Sequence, residues 1–165
     1  MQLQRAAIAL GSNLGDCRGT LNGALLALDT SPGVRLLQRS AWYRSAAVGP
    51  PQPDYLNGCA VLEVSLAAEQ LLERLQAIEQ QFGRVRAERW GPRSLDLDLI
   101  FLDDLQLASA RLQLPHPRLW ERNFVLVPLA EIAPDWLDPV TGLTVATLAA
   151  RVRDHGHLER LSEPA

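Results

Sequence analysis

Apolar residues change their spacing along this chain in a fixed order, and that order restricts the folds open to it. Ala6-Ala7-Ile8-Ala9-Leu10 is a short unbroken apolar run closed by Gly11-Ser12-Asn13, which reads as a buried strand. Residues 20–28 carry Leu21, Ala24, Leu25 and Leu28 at helical spacing, and Ser31-Pro32-Gly33 ends them. Residues 34–43 read as a second strand, the proline-rich stretch 49–53 as a stiff loop, and 55–64 as a third strand. The strongest helical pattern, 67–82, sets Leu71, Leu75, Ile78 and Phe82 on one face and stops at Gly83. Residues 95–102 supply a fourth strand, two short helical stretches follow at 118–132 and 143–152, and 162–165 is expected to fray. Strand, helix, strand, strand, helix, strand is the split βαβ order of a ferredoxin-like fold. The expected architecture is therefore α+β: a βαββαβ sandwich with helices on one face of an antiparallel sheet, plus short C-terminal helices.

The chain has 165 residues, which suits a single domain over 1–165. A formal net charge of -3 opposes general nucleic-acid binding, which calls for a basic domain. No apolar stretch approaches the length of a membrane span, and the first residues resemble the start of a strand rather than a secretory signal. Cys17 and Cys59 form no metal or disulfide pattern, so free thiols in a reducing cytoplasm are expected. All 16 basic residues are arginines. Without lysine neither a P-loop nor a protein-kinase site can be built, so any phosphate must be met by arginine, backbone amides or metal.

The segment richest in chemistry runs from Arg84 to Leu99. In a strand, alternate residues share a face, so Leu95, Leu97 and Leu99 turn to a core while Asp96 and Asp98 face the other way, their Cα atoms about 6.5–7 Å apart. Two carboxylates so placed repel unless a cation lies between them, and magnesium is commonly held by one or two carboxylates plus substrate phosphates. A solvated strand face is the plain alternative for a lone Asp-x-Asp. Upstream, Arg84, Arg86, Arg89 and Arg93 fall within ten residues, offset only by Glu88, and Gly91-Pro92 can turn this loop back over the strand. Arginine forks pair with phosphate oxygens, and Trp90 can stack on a ring or a guanidinium plane. Metal carboxylates beside such a loop make a coherent phosphoryl-transfer site.

Three further features are less decisive. His116, fixed between Pro115 and Pro117, can donate to a phosphate or cap a turn. Asn57 can read the edge of a flat heterocycle, with Tyr55 stacked on it, or sit in a strand-start bulge. Asp16 reads as the cap of the first helix in preference to a metal ligand, and Gly11 and Gly15 form no dinucleotide fingerprint.

The segments "ALGSNLGD", "PDYLNG", "GRVRAERWGPRSLDLDLI" and "PHPRLWERNFVLVPLAEIAPD", in this order over about residues 7–137, resemble the 6-hydroxymethyl-7,8-dihydropterin pyrophosphokinase family of folate biosynthesis. The resemblance implies a ferredoxin-like fold and transfer of pyrophosphate from ATP to the pterin hydroxymethyl group with release of AMP. It implies two magnesium ions between Asp96, Asp98 and the triphosphate. Arg84, Arg86, Arg89, Trp90, Arg93, His116, Arg122 and Glu79 then match the ATP side, with Arg86, Arg89 and Arg93 joining the aspartates in catalysis. Tyr55 and Phe124 match the rings that sandwich the pterin, Asn57 its edge-reading amide, and Ser45, Ala46 and Val48 a lining stretch, completed by Trp90 and Asp96. Ser45-Ala46-Ala47 replaces the family's usual Thr-Pro-Pro or Glu-Pro there. The implied partners are ATP and a dihydropterin, with no nucleic acid and no membrane, acting on a monomer. Rival readings are an RNA-binding module, which shares the strand order but needs paired sheet aromatics, and a metal nuclease built on Asp-x-Asp.

Overall fold

A computed structural model describes residues 2–46, 51–83 and 94–162. β1 (Gln4–Ser12) leads into α1 (Cys17–Asp29), then β2 (Val34–Arg39), β3 (Tyr43–Ser45), β4 (Tyr55–Val64), α2 (Ala68–Gln81) and β5 (Asp96–Leu102). A small hairpin, β6 (Leu107–Ala108) and β7 (Gln113–Leu114), precedes a single 3-10 turn at Leu119–Glu121, α3 (Asn123–Ile132), α4 (Val145–Val152) and β8 (Leu158–Arg160). The main sheet runs β5-β1-β4-β3-β8, with β2 also paired to β4. Every pairing in it is antiparallel. With β1 and β4 central and β5 at one edge, the sheet has the arrangement expected of the split βαβ order.

Each face of β1 is covered, which is why its sequence is apolar without alternation. On one face Ala6, Ile8 and Leu10 pack with Ala60, Leu62 and Val64 against Leu21, Leu25 and Leu28 of α1 and Leu71, Leu75 and Ile78 of α2. On the other, Ala7, Ala9, Cys59 and Val61 pack against Val125, Leu126 and Leu129 of α3 and Val145, Leu148 and Ala149 of α4. The C-terminal helices, which the sequence pattern left unplaced, thus close the second face. Asp16 caps α1 through its carboxylate, which accepts from Gly19 N at 3.1 Å. The ring of Phe82, just past α2, lies 3.0 Å from where a Cβ on Gly23 of α1 would stand, so the glycine lets the two helices close up.

The stretch expected as one strand over 34–43 is two. β2 pairs with the second half of β4 and β3 with its first half. Between them Ser40 takes over the ladder: its amide donates to Cys59 O at 2.9 Å, and its hydroxyl accepts from Cys59 N at 2.9 Å. Trp42 turns inward to 1% exposure across Gly58, where a Cβ would come within 2.5 Å of the indole. The helical stretch 118–132 likewise divides, at Arg122, into the 3-10 turn and α3. β8 and the β6–β7 hairpin had no counterpart in the sequence pattern. Among the described residues no helix is long and apolar enough to cross a membrane.

Candidate active site

β5 alternates as its sequence demands. Leu95, Leu97 and Leu99 are buried in the α1/α2 core, while Asp96 and Asp98 are half-buried and turn to the α3 side. Strand register extends this acidic pair into a row. Asp96 lies beside Gly11 of β1, Gly11 beside Asn57 of β4, and Asn57 beside Tyr43 of β3. Asp98 lies beside Ala9. A Cβ on Gly11 would sit 3.2 Å from Asn57 Oδ1 and 3.5 Å from the Tyr55 ring, so the glycine keeps open the floor between the aspartates and these two residues. Sequence reasoning gave Gly11 the end of a strand and no place in a dinucleotide fingerprint; its closeness to Asn57, nearly fifty residues away in the chain, comes from strand pairing.

Asn57 is 5% exposed and donates through Nδ2 to Ser45 Oγ at 2.6 Å, so its amide is oriented by β3. Its alternative reading as a residue in a bulge is not realised, since the β1–β4 register runs unbroken through it. Ala46 is exposed at the end of β3.

Around Asp98 the groups are basic. Arg122 Nη1 lies 3.8 Å from Asp98 Oδ2, with Arg122 22% and Asp98 42% exposed in their side chains. Burial pushes the Arg122 guanidinium below its ordinary value, and Asp98 opposes that shift. The same guanidinium lies 5.5 Å from the centroid of the Phe124 ring on α3, a cation–π distance. His116 does cap a turn: its carbonyl accepts from Leu119 N at 3.1 Å and its Nδ1 from Arg118 N at 3.2 Å. Its amide donates to Ile100 O at 3.1 Å, which pins it against β5. Burial lowers the His116 pKa below 6.5, more than Asp98 raises it. Near pH 7 the ring is therefore neutral with its proton on Nε2, and a donor remains for an anion.

Glu79 is 4% exposed and its Oε2 accepts from Leu97 N at 2.8 Å. That amide lies on edge strand β5 between the two aspartates, so the carboxylate satisfies an edge donor and fixes the strand that carries them.

The described residues thus bring together Asp96, Asp98, Tyr55, Asn57, Ser45, Phe124, Arg122 and His116 on one side of the sheet, with Glu79 bonded to the backbone behind them. Arg84, Arg86, Arg89, Trp90, Arg93 and Val48 lie outside the described residues. Among the described residues no three His, Cys, Asp or Glu side chains gather into a metal cage. Two hard oxygen donors on an open strand face fit magnesium, which routinely completes its shell with water and substrate phosphate, and do not fit zinc.

Residues 7–134 match the model of the 7,8-dihydro-6-hydroxymethylpterin-pyrophosphokinase (HPPK) family. A Synechocystis 2-amino-4-hydroxy-6-hydroxymethyldihydropteridine pyrophosphokinase is 55% identical over 151 residues, 92% of this chain and 77% of that protein. One from Methylorubrum extorquens is 42% identical over 160 residues, covering 96% of this chain and 99% of its own. A crystal structure of Plasmodium falciparum HPPK-DHPS with pteroate superposes with a TM-score of 0.72 at 12% identity; it covers 91% of this chain, which spans only 42% of that longer one. That likeness speaks to the fold, whereas the family model and the two curated relatives speak to descent: the chain belongs to the HPPK family.

Proposed function

We propose that this chain, acting as one domain over 1–165, transfers pyrophosphate from ATP to the hydroxymethyl group of 6-hydroxymethyl-7,8-dihydropterin and releases AMP. The observation that carries the reading is the side-by-side display of Asp96 and Asp98 opposite the core, with Arg122 at 3.8 Å from Asp98. Family membership supplies the substrate pair. The protein is read as a cytoplasmic monomer.

Asp96 and Asp98 are the residues that would hold magnesium, taken as two ions, which supplies charge neutralisation on the triphosphate. The pterin hydroxyl oxygen attacks the β-phosphorus in line, a new O–P bond forms as the hydroxyl proton passes to solvent, and the bond to the bridging oxygen of AMP breaks, with AMP carrying away the electron pair. Arg122 and the Nε2–H of His116 would contact the same phosphates, and Arg86, Arg89 and Arg93, with Arg84, are the further guanidinium groups that the family motif assigns to them. Donors fixed in advance on a moving charge are the main source of acceleration in such transfers. Glu79 acts on the ATP side through the Leu97 backbone it orients. Tyr55 and Phe124 hold the pterin between their rings, Asn57 reads its edge, and Ser45, Ala46, Val48 and Trp90 complete its wall. No dedicated general base is assigned.

The test is AMP release by purified protein with ATP, magnesium and the pterin, against omission of each. AMP formed only with all three supports the reading. Plasmid cleavage or retention on a nucleic-acid column, without pterin-dependent AMP, overturns it in favour of a nuclease or RNA binder.

A further inference from the structure

The row Asp96–Gly11–Asn57–Tyr43 ends against a carboxylate that lies outside the site. Glu131, on the last turn of α3, accepts from Tyr43 OH at 2.6 Å and from Ala41 N at 2.9 Å, one bond to each oxygen. Arg160 of β8 adds a longer contact at 3.4 Å. These bonds pull the Glu131 carboxyl below its ordinary pKa, and burial beside Glu131 pushes the Tyr43 phenol up to about 12, so acceptor and donor both persist at neutral pH.

The position of this clamp gives it consequence. Glu131 is seven residues from Phe124, so the two side chains lie on the same face of α3, two turns apart. Tyr43 is the register partner of Asn57, and Ser45, two residues along β3, accepts the Asn57 amide at 2.6 Å. One carboxylate thereby ties the helix that carries Phe124 to the short strand that orients Asn57. β3 is only three residues long and is held in the plane of the sheet by β4 and β8, whereas the Glu131 bonds run out of that plane to α3. Arg160, with its side chain 63% exposed, contributes little to this.

We infer that Glu131, through Tyr43, is a positioning residue for pterin binding: it sets the spacing between the Phe124 ring and the Asn57 amide. The inference rests on the pterin-site reading above, so wild-type kinetics with both substrates come first and test that reading separately. The variants are Glu131→Gln and Tyr43→Phe, singly and together. Each is expected to raise the pterin KM by about fivefold to tenfold, the effect of misaligning one polar contact, while leaving the ATP KM within about twofold. Because both act on one bond, the double variant is expected to match the worse single one rather than multiply the two effects. A general packing defect would instead lower kcat, or raise both KM values together. Equal shifts for both substrates, multiplicative losses in the double variant, or unchanged pterin KM in Tyr43→Phe would each overturn the assignment. Tyr43→Phe keeps the ring that packs in the core, so it serves even where Glu131→Gln folds poorly.

Discussion

Gly11→Ala probes the site with the smallest possible change. The added methyl would stand 3.2 Å from Asn57 Oδ1 and 3.5 and 3.8 Å from the Tyr55 ring, and these are its three nearest contacts, so Asp96 on the other flank is spared. The first distance requires Asn57 to give by a few tenths of an ångström, yet its Nδ2 is held by Ser45 Oγ at 2.6 Å. In stability the two sides partly offset: an alanine in a strand interior gains about 0.5–1 kcal/mol over glycine, and crowding costs about 1–3 kcal/mol. Net destabilisation of at most about 2.5 kcal/mol leaves the fold intact. Binding does not offset. A heterocycle read by a displaced amide loses part of a hydrogen bond, about 0.5–1.5 kcal/mol, which raises the pterin KM about threefold to tenfold. Steady-state AMP release with each substrate varied in turn reads this directly. An unchanged pterin KM, or an equal rise for ATP, would refute the placement of the pterin against Tyr55 with its edge at Asn57.

Asp98→Ala is expected to abolish pyrophosphate transfer while circular dichroism and thermal unfolding stay near wild type, and near-normal turnover would refute the metal assignment. Gly58→Ala drives a methyl to 2.5 Å from the Trp42 ring and should cost about 1–3 kcal/mol in urea unfolding, because a fully buried indole has nowhere to move. His116 has a folded pKa below 6.5, so its contribution to stability is complete above pH 6.5 and is lost as pH falls through the folded value. The urea midpoint of the ligand-free protein should fall on acidification below 6.5, and the fall should flatten in His116→Gln.

Where the physics was local, the sequence determined the outcome. Leu-Asp-Leu-Asp-Leu alternates with a strand's own period, so one face had to be core and the other acidic whatever lay around it. The spacing of Leu71, Leu75 and Ile78 made α2 legible in the same way, and an aspartate three residues ahead of Gly19 made the α1 cap legible. The gathering of His116 and Arg122 near Asp98 was suggested by the motif that carries them.

What depended on a distant partner was not legible. The break between β2 and β3 comes from a serine hydroxyl replacing a ladder bond and a tryptophan that needs Gly58 on the opposite strand. β8 is a strand because β3 offers it an edge, not because Leu158-Glu159-Arg160 alternates convincingly. Gly11 gains meaning only beside Asn57, and Glu131 only against Tyr43. Periodicity and capping act within a few residues and leave their mark in the order of the chain, whereas register, close approach and the docking of α3 join residues far apart in it, and tertiary packing alone selects those pairs.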